Sequence, residues 1–268
     1  MMALLKAFYR GFVGGPDFNN TITRKFILED KQLSVTMPDS NVAAIDNAKD
    51  VSFPHTSSIW FKQNAKVYMQ HHYVRVMTEN WMYVPPVGVG TSSEYGMLSC
   101  QVRIKQTSAI NVLDKTALAQ FVVQAYDNFH NGPEGRNTEI RQETIEETSQ
   151  MARSFTPDEL EEEIAELIHL RGKPAIPAAK LIEINGVDWV FYQEVKNNRR
   201  SHLDFYCLPL SPTSFLEVKF NHRVDRSDQH KKWAKHALES QQRIMEAILL
   251  TNIPASDDNL VAHNAEVV

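Results

Sequence analysis

The chain has 268 residues, 43% of them hydrophobic and 23% charged, and a formal net charge of -5. That length buries a proper core as one large domain or two small ones. The acidic balance speaks against a general nucleic-acid binder, which shows a basic surplus or stripe, and no apolar run is long enough to span a membrane, so the cytoplasm is the default expectation.

Met1–Val13 sets Leu4, Leu5, Phe8 and Phe12 on one helical side, interrupted by Lys6 and Arg10. It is too short and too charged for a signal peptide. Residues 1–20 are read as an amphipathic segment that docks on the protein's own surface, with a membrane surface as the weaker alternative. Gly14-Gly15-Pro16 ends it. Arg24–Leu28 and Leu33–Met37 read as paired short strands, and Ser58–Phe61 and Lys66–Val76 as extended segments. Pro85–Gly96 is turn chemistry throughout. Leu98–Lys105 alternates cleanly, with Leu98, Cys100, Val102 and Ile104 inward and Ser99, Gln101, Arg103 and Lys105 outward. A helix follows over Lys115–Asn131, capped by Asp114, with Leu118, Phe121, Val122, Ala125, Tyr126 and Phe129 as its apolar stripe.

Residues 132–177 form an acidic helical insertion. Thr156-Pro157-Asp158-Glu159 is a capping box with Pro at the first helical position. The stripe Leu160, Ile164, Leu167 and Ile168 is expected to dock on the chain's own sheet. A four-strand meander then runs through Lys180–Ile184, Val187–Val195, Ser201–Leu208 and Phe215–Phe220, opened by an Asn185-Gly186 hairpin turn. A long amphipathic helix is expected over Asp228–Leu250, and residues 255–268 read as a disordered tail. The fold class is α+β: a twisted antiparallel sheet flanked by long amphipathic helices, formed by residues 21–131 and 178–254 as one domain or two halves.

The order of these pieces resembles the PsbP-like fold, as in the DcrB-type bacterial proteins and secretion-effector chaperones. The residues that carry the likeness are Leu33–Pro38, Leu98–Lys105 leading into the Leu118–Phe129 helix, Ile184–Asp188, Tyr192-Gln193, Phe215–Phe220 and the terminal helix. The resemblance implies an α/β/α sandwich used for binding, with no common catalytic residues to carry over.

Candidate chemistry is sparse. Asp204 with Glu217-Val218-Lys219 resembles the metal-dependent PD-(D/E)xK nuclease core, in which Asp204 and Glu217 would hold a metal and Lys219 would orient the attacking water. Leu203 stands where that motif has Pro, and alternating Glu and Lys also suit the solvated face of an antiparallel strand. No His pair has metalloprotease spacing and no cofactor motif is present. A zinc site would have to be assembled from distant residues such as His202, Asp204 and His222. Cys100 and Cys207 read as core thiols of a reduced compartment, with a single bridge between them as the alternative. A basic cluster at Lys196, Arg199, Arg200, Lys219, Arg223, Arg226, Lys231, Lys232 and Lys235 reads as a solvated face or a grip on an acidic partner.

The expectation is therefore a non-enzymatic binding protein. It would act as a chaperone- or immunity-type accessory of another protein, with a secreted effector or toxin among the candidate partners. Glu159, Glu161, Glu162, Glu163 and Glu166 would be the contact, since a carboxylate-rich surface steers a basic partner. The nuclease is the alternative.

Overall fold

The computed structural model describes residues 15–42, 52–68, 71–84, 94–151, 154–195, 201–224 and 231–253. The N-terminal amphipathic segment, most of the Pro85–Gly96 loop and the C-terminal tail therefore lie outside the described residues. Ten strands and five helices follow in chain order: β1 (Thr21–Leu28), β2 (Lys31–Pro38), α1 (Ser58–Asn64), β3 (Lys66–Tyr68), β4 (His71–Tyr83), β5 (Gly96–Gln106), α2 (Lys115–Asn131), α3 (Arg136–Ser149), α4 (Pro157–Arg171), β6 (Lys180–Ile184), β7 (Val187–Val195), β8 (His202–Pro209), β9 (Ser214–His222), α5 (Lys231–Glu246) and β10 (Ile248–Asn252). The class is α+β with antiparallel sheets. Among the described residues no helix is long and apolar enough to cross a membrane.

Seven strands form one antiparallel sheet in the order β3-β4-β5-β9-β8-β7-β6, and β1-β2-β10 form a second, smaller sheet. The inner face of the large sheet carries Trp81, Leu98, Val102, Ile104, Leu216, Val218 and Phe220. These pack against Leu28, Leu33, Val35 and Met37 of the small sheet and Ala237, Ile244 and Met245 of α5 in one apolar core. The outer face is covered by α2. There Leu118 and Val122 meet Val190, Tyr192, Phe205, Cys207 and Phe215 in a second core. Burying such side chains is worth about 1.5–3 kcal/mol each, which is what holds α2 on the sheet. Both cysteines are free, with Cys100 in the inner core and Cys207 in the outer one.

Local signals act where they were expected to. The Asp114 side chain accepts from the Thr116 and Ala117 amides to cap α2. Both hydrogen bonds of the capping box at Thr156 and Glu159 form. Asn185 and Gly186 take φ of 53° and 74°, the left-handed values that a tight hairpin demands.

Three expectations are corrected. Ser58–Phe61 is helical: the Ser57 hydroxyl accepts from the Trp60 amide and caps α1, so local hydrogen bonding outweighs the aromatic, strand-like composition. The terminal helix stops at Glu246 rather than Leu250. Ile248 pairs with Val35 and Leu250 with Leu33, because the edge of β2 offers unpaired amides and carbonyls to the chain leaving α5. Thirdly, α4 packs chiefly on α3, which itself packs on α2, rather than on the sheet. Ile164 is buried in that helical stack.

The β10 assignment has a direct consequence. In β10 Ile248 faces the core and Leu249 faces solvent. Ile248→Ala should cost about 2–4 kcal/mol and Leu249→Ala within about 0.5 kcal/mol, read from urea denaturation midpoints.

Candidate functional site

Strands β5, β9, β8 and β7 lie side by side, and their pairing places a set of polar residues on the outer face beneath α2. Arg103 stands opposite Glu217 and Gln101 opposite Lys219. Lys219 also stands opposite Phe205, and Glu217 opposite Cys207. Tyr192 pairs with Phe205, and Glu194 with Leu203. Directly opposed residues of an antiparallel pair share a face, so these groups form one surface. The alternation that suited a solvated strand face is instead roofed by a helix: Glu217 is 0% exposed and Arg103 5%.

A buried carboxylate needs compensation, and Glu217 has it. The Arg103 guanidinium pairs with Oε1. Lys105 Nζ donates to Oε2 at 2.6 Å and the Tyr192 hydroxyl donates to it at 3.2 Å. Burial alone would push the Glu217 carboxyl up. The positive charges of Arg103 and Lys105 outweigh it and hold the group at about 2. The neighbours respond in the opposite sense. Desolvation, then the like charge of Arg103, brings the Lys219 ammonium down to about 8. Burial raises the Glu194 carboxyl.

Between this surface and α2 lies a cavity of about 310 Å³. Phe121, Tyr126 and Phe129 of α2 form its roof, and Leu203 and Phe205 part of its floor. Arg103, Lys105, Lys173 and Lys219 reach its lining, with Glu194 as the lining carboxylate. Lys219 Nζ sits 5.5 Å from the centre of the Phe205 ring, a favourable cation–π distance. The cavity lining is both cationic and aromatic.

The nuclease constellation does not assemble. Asp204 stands opposite Phe220, on the inner face, while Glu217 and Lys219 point outward. The sheet itself separates Asp204 from the other two, and Glu217 is already ion-paired with Arg103 and Lys105. What Asp204 does join is a buried cluster with His202 and His222, whose donor atoms with Asp204 Oδ lie within 4.8 Å of one another. Gln193 donates to Asp204 Oδ1 at 2.6 Å and Gln241 to Oδ2 at 2.8 Å. Burial pushes the Asp204 carboxyl up, but hydrogen bonds from His202, Gln193 and Gln241 win and lower it.

The zinc fit fails on ring geometry. The two imidazoles are stacked, 4.2 Å between centroids and 9° from parallel. An ion lying in the plane of one ring is then a full stacking distance from the plane of the other, so the two lone pairs cannot converge on it. The Gln241 amide, bonded to His222, Asp204 and the Tyr206 hydroxyl, fills the centre of the cluster instead. The cluster ties α5 to β8 and β9.

The expected acidic contact divides. Glu159 is engaged in the capping box, and Glu161 forms a two-pronged pair with Arg141 of α3 at 2.6 and 2.9 Å. Glu162 and Glu166 are exposed and Glu163 is half-buried. The basic cluster also divides. Lys219 faces outward under α2, whereas Lys232 and Lys235 ride on α5 over the inner face, and Lys196, Arg199, Arg200 and Arg226 lie outside the described residues. Sequence reasoning missed Arg103, Lys105, Lys173, Tyr192 and Glu194 as site residues. A usable signal was present: Trp189–Tyr192 and Phe205–Leu208 are unbroken apolar runs, the mark of strands covered on both faces.

Replacing Glu217 by Gln leaves Arg103 and Lys105 uncompensated in the core, which should cost about 3–5 kcal/mol by urea denaturation. The acid response has a definite sign. The group titrates near 4.5 when unfolded and about 2 when folded, so its contribution is complete above pH 4.5 and is lost as pH falls toward 2. The Glu217→Gln protein should therefore lose less stability than the wild type across that window. No protein-family model, curated protein or solved structure matches this chain.

Proposed function

We propose that this chain is a binding protein whose ligand is a small organic anion held in the cavity beneath α2. One observation carries the reading: four cationic side chains converge on an aromatic-walled cavity of about 310 Å³ whose nearby carboxylates are Glu194 and the already neutralised Glu217. Low-dielectric walls focus that positive potential inward. A volume at the lower end of the usual range suits a compact ligand with one charged end and one apolar end. Arg103, Lys173 and Lys219 would meet the charge, and Phe121, Phe129 and Phe205 the apolar part.

Calorimetric titration with benzoate tests it. Saturable binding is expected, tighter than for acetate and weakened by added chloride. Because a hydrogen bond to a charged group is worth about 1.5–3 kcal/mol, Lys173→Ala and Lys219→Gln should each weaken binding by roughly tenfold or more. Absence of saturable heat with benzoate and acetate alike would sink the reading.

A second reading, a chaperone- or immunity-type accessory of another protein, is favoured by the α3–α4 hairpin. Ile145, Met151 and Leu170 are 44%, 53% and 64% exposed there, on the same hairpin as the exposed Glu162 and Glu166. Exposed apolar side chains and exposed carboxylates on one hairpin suit a partner with a basic, partly apolar surface. Glu161 is a poor probe because reversing it breaks the Arg141 pair. A Glu162→Lys, Glu166→Lys double variant should recover at least tenfold less of any protein that co-purifies stoichiometrically with the wild type. Equal recovery would remove the hairpin as the contact.

A further inference from the structure

We propose that Lys219 is an amine nucleophile that captures a small 2-oxo acid as an imine, with Arg103 pairing the ligand's carboxylate. The inference rests on the anion-binding reading above and narrows its ligand class. The lysines around the cavity are not equivalent. Lys105 is held by Glu217 at 2.6 Å, whereas Lys219 forms no ion pair with a described residue, and its ammonium faces the Phe205 ring. Burial, then the adjacent Arg103 charge, outweighs the attraction of Glu194 and Glu217 and brings it down to about 8. Roughly a tenth of it is then free amine at pH 7, against well under a thousandth for an exposed lysine. A desolvated lysine beside a second cation is the setting in which lysine attacks carbonyls.

The other parts of the reaction line the same cavity. Arg103 is 5% exposed and its Nε–H has no partner in the described chain, so the guanidinium has donor capacity beyond Glu217. Glu194, a carboxyl held up by burial, lies on the same face of the sheet, two strands away from Lys219. The free amine attacks the ketone carbon, a C–N bond forms, and the carbonyl π pair moves to oxygen, which takes a proton. The nitrogen gives up one proton in that addition; the C–O bond then breaks, the oxygen leaving as water with a second proton from Glu194, and the resulting Glu194 carboxylate takes the nitrogen's remaining proton. Amine and ketone go in, imine and water come out, and no oxidant or reductant is required.

The test is incubation of the full chain with pyruvate and cyanoborohydride, followed by peptide mapping. One adduct per chain at Lys219 is expected, forming at least tenfold faster at pH 7 than at any other lysine and reaching half its limiting rate near pH 8. Benzoate should suppress it. Lys219→Arg keeps the charge and should bind pyruvate calorimetrically without forming an adduct. Adducts spread over exposed lysines, or equal labelling of wild type and Lys219→Gln at other sites only, would overturn the imine. If pyruvate binds saturably and Lys219 stays unmodified, the imine falls while the anion-binding reading stands. If pyruvate neither binds nor labels Lys219 while benzoate binds saturably, the imine alone falls; if benzoate and acetate also give no saturable heat, both readings fall.

Discussion

The outer half of this protein depends on one constraint: Glu217 sits at zero exposure in the centre of a seven-stranded sheet and must stay charged there. An isolated carboxylate in that position would be protonated or expelled. Arg103 directly opposite, Lys105 two residues further along β5, and the Tyr192 hydroxyl supply the compensation. This arrangement ties β5, β9 and β7 together by side chains as well as by backbone hydrogen bonds. It also forces an excess of positive charge nearby, since two cations answer one carboxylate. Burial and then that excess depress Lys219, and the excess gives the adjoining cavity its sign.

The two faces of the same sheet solve opposite problems. The inner face is almost wholly apolar and is closed by the small sheet and α5. Its buried polar groups include Glu79, paired with Arg24 at 2.6 Å, and the Asp204 cluster, in which Gln193 and Gln241 satisfy the carboxylate. The outer face is amphipathic, and α2 covers it incompletely, with side chains large enough to shelter charge but too few to fill the space. A closed polar cluster and an open cationic cavity thus lie back to back, separated by one layer of strands. The first holds an element in place, while the second has unfilled binding capacity.

The imine proposal follows from inequality among lysines that look alike in the sequence. Lys105 and Lys219 both alternate with apolar residues on their strands and would have the same character on an open sheet. Partner geometry separates them. The register of β5 on β9 aims Lys105 at Glu217 and leaves Lys219 facing an aromatic ring.

Local chemistry was legible wherever it closes within a few residues. Asp114 capping α2, the Thr156–Glu159 box, the Asn185-Gly186 turn and the period-two alternation of β5 and β9 each depend on neighbours in the chain, so the sequence by itself determined these elements, their direction and the α+β class. Where partners are distant, it did not. Whether Ile248 continued a helix or began a strand was decided by the free edge of β2, more than two hundred residues earlier. Whether Glu217 met water or a helix was decided by where α2 came to rest. Asp204 and Glu217 read as one site because their spacing fits two neighbouring strands, yet the register turns Asp204 inward and Glu217 outward. Side-chain direction in a sheet has a period of two residues, so only the tertiary pairing settles which groups can ever meet.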